Sequence, residues 1–130
     1  LVARAFAYST ENPAKVERAL LGVVGPGKEN ATVRRAEGHF GDSIHIIELR
    51  ILDPRRAEVV LRRIIDSLGL DAVLQGLEAY SDRRGCIHIR LDKQAAHSGR
   101  IVLGGPDPIK LEFTYDGDGS ELRRSAGAAN

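Results

Sequence analysis

Residues 86–91 alternate without a break: Ile87, Ile89 and Leu91 fall on one parity, Cys86, His88 and Arg90 on the other. A period of two places successive side chains on opposite faces of a strand. A strand that is apolar on one side only belongs to a sheet with one wet face, the habit of antiparallel sheets. Parallel sheets, covered on both faces, need near-continuous apolar runs. The same period recurs at residues 2–8, where Ala3, Ala5 and Ala7 oppose Arg4, Phe6 and Tyr8. Helices are therefore expected on one side of the sheet, and the small alanines let one of them approach closely.

Two helices announce themselves by an N-cap residue followed directly by proline, at Asn12-Pro13 and Asp53-Pro54. The first carries the stripe Val16, Ala19, Leu20, Val23 and Val24 and stops at Gly25-Pro26-Gly27. The second carries Ala57, Val60, Leu61, Ile64, Ile65 and Leu68, with Arg55, Arg56, Glu58, Arg62, Arg63 and Asp66 on the wet side, and stops at Gly69. The arginines read as a solvated face with Glu58 and Arg62 paired, or more sharply as contacts to backbone phosphates. Between the helices, residues 32–36 run into a glycine turn at Gly38–Gly41 and return over 44–52, a hairpin with Ile47, Leu49 and Ile51 on one face. Asp71 is expected to cap a short helix carrying Val73, Leu74, Leu77 and Tyr80, ended by Arg83-Arg84-Gly85. After the strand at 86–91 come a helical turn from Asp92, a short strand at 101–103, and a last strand with Ile109, Leu111, Phe113 and Tyr115.

This order of elements predicts an α+β fold, a single-domain two-layer sandwich with a largely antiparallel sheet and helices on one face. The domain is expected over residues 1–115, with 116–130 a polar C-terminal tail. A chain of 130 residues supports one core, and no run approaches the roughly twenty apolar residues of a membrane span. Nineteen basic against eighteen acidic residues leave a net charge of +1, so any basic footprint is local. The single cysteine, Cys86, cannot form an internal disulfide, which favours a cytoplasmic setting. The chain starts at Leu1, so the natural N-terminus is expected further upstream.

Two turns carry what chemistry the sequence offers. Gly38-His39-Phe40-Gly41 has glycines able to take positive φ, backbone N–H groups for an anion, and a ring pair able to bond and stack on a base; a tight hairpin also needs such glycines. Asp92 is a good N-cap, and the turn after it offers free N–H groups with Lys93 and Gln94. The simpler reading is that Asp92 only caps and Lys93 is solvated. No motif supplies a nucleophile with an orienting base. The four histidines, at 39, 45, 88 and 97, lack helical pairing or cysteine company, so neither a metal nor another cofactor is expected.

The segments Glu37-Gly38-His39-Phe40-Gly41 and Leu91-Asp92-Lys93-Gln94-Ala95-Ala96 resemble the signatures of a small archaeal family described as predicted RNA-binding proteins, sometimes as suspected exosome-associated subunits. The likeness covers the chain up to about Tyr115. It departs at His97-Ser98, where an aromatic and an aliphatic residue are usual, and at Asp42, which replaces a more usual asparagine. The resemblance implies a fold like that of the large-subunit ribosomal protein that docks 5S ribosomal RNA, a homodimer, and an RNA partner without chemistry. On that reading the protein is a non-enzymatic RNA binder, linked to RNA processing or the exosome. It would grip the backbone through Gly38, Gly41, Arg90, Lys93 and Gln94, with His39 or Phe40 stacking. Two other readings stand beside it: an enzyme acting on a phosphorylated substrate with His39, Asp92 and Lys93 in one pocket, and a protein-interaction scaffold.

Overall fold

A computed structural model describes residues 1–38, 41–81 and 84–116. The elements run β1 (Val2–Ala7), α1 (Pro13–Val24), β2 (Thr32–Glu37), β3 (Ser43–Arg50), α2 (Pro54–Leu68), α3 (Leu70–Leu74), β4 (Leu77–Ser81), β5 (Arg84–Asp92), α4 (Lys93–His97) and β6 (Pro108–Asp116). The six strands form one sheet in the order β2-β3-β1-β6-β5-β4, and every pairing is antiparallel. The α+β sandwich read from the alternation is the observed fold.

The parity of each strand decides which face the helices cover. Ala3, Ala5 and Ala7 of β1, Ile47 and Leu49 of β3, Ile87, Ile89 and Leu91 of β5, and Ile109, Leu111 and Phe113 of β6 are all buried on the same side. Against them α1 sets Val16, Ala19, Leu20, Val23 and Val24, and α2 sets Val60, Leu61 and Ile64. Both helices start as their Asx-Pro steps dictate: the Asn12 side chain accepts from the Ala14 N–H and the Asp53 side chain from the Arg55 N–H.

The arginine face of α2 is not simply solvated. Arg56 donates to the Gly25 carbonyl at 3.0 Å and pairs with Glu29 at 2.7 Å, while Arg63 donates to the Gly22 carbonyl at 3.1 Å. These carbonyls lie at the C-terminal end of α1, where no further helical N–H can reach them, and the guanidinium groups supply the missing donors. Arg62 pairs with Glu58 one turn away at 3.8 Å, as expected.

The largest departure lies between Leu74 and Arg84. The spacing of Leu77 and Tyr80 with Val73 and Leu74 predicts a continued helix, but the helix stops at Leu74 and Leu77–Ser81 form β4. The cause is Gly76. Its carbonyl accepts the His88 N–H at 2.8 Å, and a Cβ built on it would lie 1.9 Å from the His88 carbonyl oxygen. Only a glycine allows this approach, and it starts a β4–β5 pairing that holds Leu77 opposite Ile87. Gly76→Ala is expected to destabilise the fold by about 3 kcal/mol, because the clash is with backbone rather than a movable side chain. Chemical denaturation of the variant checks this. The expected strand at 101–103 reduces to a bridge between Leu103 and Leu91. Of the expected polar tail, all beyond Asp116 lies outside the described residues, as does Arg83.

Candidate nucleic-acid interface

With α1 and α2 on one side, the other side of the sheet carries no helix among the described residues, and the register aligns its side chains in rungs across the strands. One rung reads Thr32, Glu48, Arg4, Lys110, Arg90, from β2 through β3, β1 and β6 to β5. Three cations, Arg4, Lys110 and Arg90, therefore sit on adjacent strands, roughly 4.8 Å apart per step. Like charges placed directly opposite one another oppose folding. Glu48 offsets part of this by accepting from Arg4 at 2.6 Å and from Arg50 at 2.7 Å. Arg90, Lys110 and Arg34 on the same face make no ion pair with another of the described residues.

Beside the rung lies an aromatic and aliphatic patch. Phe6 is half-buried opposite Ile46, with Ile44 near it, and its ring meets that of Tyr8 edge-to-face at 6.5 Å. Cations and an accessible ring on one sheet surface can contact a nucleic-acid backbone and stack on an unpaired base.

The two signature turns lie at the same end of the sheet. The hairpin turn precedes Ser43 of β3, and the Asp92 turn follows β5; β1 and β6 separate these strands, so three inter-strand steps, about 14 Å, divide the turns. In the hairpin turn the Gly38 N–H donates to the Asp42 carbonyl and the Gly41 N–H to the Gly38 carbonyl, so both are spent on closing the loop. Gly41 takes φ +80°, as its glycine identity foretold. Asp42 is exposed, its carbonyl serving the turn. His39 and Phe40 lie outside the described residues.

At the second turn the Asp92 carboxylate accepts from the N–H groups of Gln94 and Ala95 at 2.9 and 3.3 Å, filling the N-terminal positions offered to an anion. Gln94 is exposed and Arg90 is exposed. Both readings of this turn, anion contact or solvated side chain, place Lys93 at the surface, but it is buried, 1% exposed. Its ammonium donates to the Phe6 carbonyl and to Glu11, each at 2.9 Å, pairs with Asp107, and lies 5.3 Å from the centre of the Tyr8 ring. Three donors meet three oxygens, leaving none for a phosphate. The reason is positional: the chain turns inward after Asp92, and the two carboxylates arrive from the β1–α1 loop and the segment before β6. Nothing local in the sequence marks Glu11 and Asp107 as its partners.

Burial pulls the Lys93 ammonium down, but its hydrogen bonds and charge contacts with Asp107 and Glu11 outweigh this and hold it above the ordinary lysine value. Burial pushes Glu11 up; the bond from Lys93, the Tyr8 N–H and the charges of Lys93 and His97 bring it below the ordinary glutamate value. A raised lysine contributes stability that is present below its unfolded pKa and lost as pH climbs through the folded one. A depressed carboxylate contributes stability present above its unfolded pKa and lost as pH falls through the folded one. The folded state is thus expected to weaken at both extremes, below the glutamate range and above the lysine range. Stability curves against pH for the wild type and Lys93→Met test it, the variant being flatter on the alkaline limb.

A sequence profile described as RNA binding matches residues 1–115. The chain belongs to the RNA binding family. No curated protein matches its sequence. Among solved structures, protein SSO0741 of Sulfolobus solfataricus, a DUF54 protein, is similar with a TM-score of 0.73 at 20% identity over 98% of this chain and 94% of that one. Mth689, a DUF54 protein from Methanothermobacter thermautotrophicus, gives 0.72 at 21% over 96% and 94%. Protein AF2318 of Archaeoglobus fulgidus, also DUF54, gives 0.69 at 25% over 85% and 81%. These likenesses establish that this RNA binding family member shares its fold with archaeal proteins. Among its described residues no helix is long and apolar enough to cross a membrane.

Proposed function

We propose that this RNA binding family member holds single-stranded RNA across the face of its sheet opposite α1 and α2. The backbone runs along the rung Arg4, Lys110 and Arg90, and a base rests toward Phe6. The observation that carries this reading is the rung itself, three neighbouring cations kept on adjacent strands where their mutual repulsion costs stability. Gln94, Gly38 and Gly41 extend the surface at the loop end of the sheet, and His39 and Phe40 are the residues of the hairpin segment whose rings would stack on a base. Lys93 serves it from below by fixing the β1–α1 loop, α4 and the approach to β6.

The protein acts by binding and without catalysis. The enzyme reading needs Asp92 and Lys93 open in one pocket; Asp92 is engaged as a cap and Lys93 is closed off by two carboxylates. In this reading the protein works in the cytoplasm as a homodimer within an RNA-processing assembly of the exosome kind, on a fold like that of the ribosomal protein that docks 5S RNA. Ultraviolet crosslinking of the full chain to a uniform single-stranded RNA, followed by peptide mapping, is expected to mark β1, β5 and β6. Crosslinks confined to the helical face would contradict it.

A further inference from the structure

On the same open face, one rung from the cations, β5 and β6 bring three metal-ligating side chains together. His88 pairs in register with Glu112, and Cys86, two residues before His88 on the same parity, pairs with Thr114 beside it. The thiol sulfur, an imidazole nitrogen and a carboxylate oxygen lie within 4.8 Å of one another. We infer that Cys86, His88 and Glu112 form a binding site for a zinc-class divalent cation, with a fourth position open to solvent.

The donor set fits such an ion. Sulfur, imidazole and carboxylate together suit a borderline-soft cation, and three protein ligands with one open position is a familiar zinc arrangement. In a tetrahedral site, bonds of about 2.0–2.3 Å place the ligand atoms roughly 3.5 Å apart, so a modest rotation of the Glu112 and His88 side chains closes the set. Binding releases the thiol proton to solvent, and the thiolate and carboxylate then balance the two positive charges of the ion, with His88 neutral.

The surroundings both help and oppose. Cys86 is fully buried, which shields the thiolate bond from water. A cavity of about 60 Å³ lined by His88, Glu112, Arg4, Arg90 and Lys110 lies next to the cluster and has room for a water on the ion. The cations lining it lower the affinity and favour an anionic fourth ligand. Cys86 and His88 each already have an interaction partner, which an incoming ion displaces or shares. The pairing of Cys86 with His88 escapes a search for helical spacing, because strand neighbours on one face stand two residues apart.

The test is titration of the reduced full chain with Co(II) as spectroscopic probe, then displacement by Zn(II). One equivalent is expected to bind with a sulfur-to-cobalt charge-transfer band. Cys86→Ser is expected to remove the band, and Glu112→Gln to weaken binding by at least about tenfold, the lower end of what even an indirect support of a metal ligand is worth. Circular dichroism establishes that each variant is folded. Glu112→Gln stands on its own if Cys86→Ser does not fold, because Glu112 is on the open face. No charge-transfer band at saturating Co(II), or an affinity unchanged by Glu112→Gln, overturns the site. Neither outcome depends on RNA binding.

Discussion

Lys93→Met is expected to lower the stability of the fold by roughly 2–4 kcal/mol, although methionine fills nearly the same volume. Removing one member of a buried ion pair costs about 3–5 kcal/mol because the remaining charge is left without compensation. Here the figure is set somewhat lower, since Glu11 and Asp107 keep 22% and 31% of their side-chain surface and can recover part of their hydration. The loss has three parts: two facing carboxylates without their cation, a Phe6 carbonyl without its donor, and a Tyr8 ring without the charge near it. Restoring neutrality should recover much of it. Replacing every charged member of such a cluster is often close to neutral, so Lys93→Met combined with Glu11→Gln and Asp107→Asn is expected to be more stable than Lys93→Met alone. Denaturant titration of the two proteins checks this. A single variant within about 0.5 kcal/mol of wild type would place Lys93 at the surface, outside the range that a buried pair permits.

The same residue marks where sequence reading reaches its limit. Its N-cap neighbour Asp92 is legible, because capping is a local event written in four residues. The direction Lys93 takes is not, since its partners lie 82 and 14 positions away in chain order and only the sheet topology brings them together. The faces of β1, α1, α2, β5 and β6 could be read residue by residue because burial follows a simple period. Leu77 illustrates the opposite: its spacing with Val73 and Leu74 suits a helix, and the decision goes to Gly76, whose missing side chain lets β5 pair there. Cys86 obeys its strand parity yet is buried on the nominally wet face, which its alternation with Ile87 does not foretell. The cation rung was half visible: Arg90 and the alternation around it stand in the sequence, while Arg4 and Lys110 join it only once β6 is known to lie between β1 and β5.

Arg90→Ala with Lys110→Ala is expected to weaken RNA binding by roughly 25-fold at 0.1 M salt. Each cation that neutralises a phosphate on a single strand contributes about 0.7 to the salt slope, so losing two lowers its magnitude by about 1.4, and a tenfold dilution from 1 M salt multiplies that into the affinity. The effect should be alike for RNAs of different sequence, because contacts to phosphate carry no base information. The fold should tolerate the change. Arg90 and Lys110 are exposed and stand directly opposite each other, so their removal relieves a repulsion. Phe6→Ala, by contrast, is expected to leave the salt slope unchanged and lower affinity through lost stacking, by about 1–3 kcal/mol per base.

The most direct measurement is the affinity of the full chain for a single-stranded RNA as a function of salt, for the wild type and for the Arg90→Ala, Lys110→Ala protein. A slope lower in magnitude by about 1.4 in the double variant, with its thermal stability unchanged or raised, is the result this account predicts. Equal slopes and equal affinities in the two folded proteins would contradict it, and would move the RNA off the open face of the sheet.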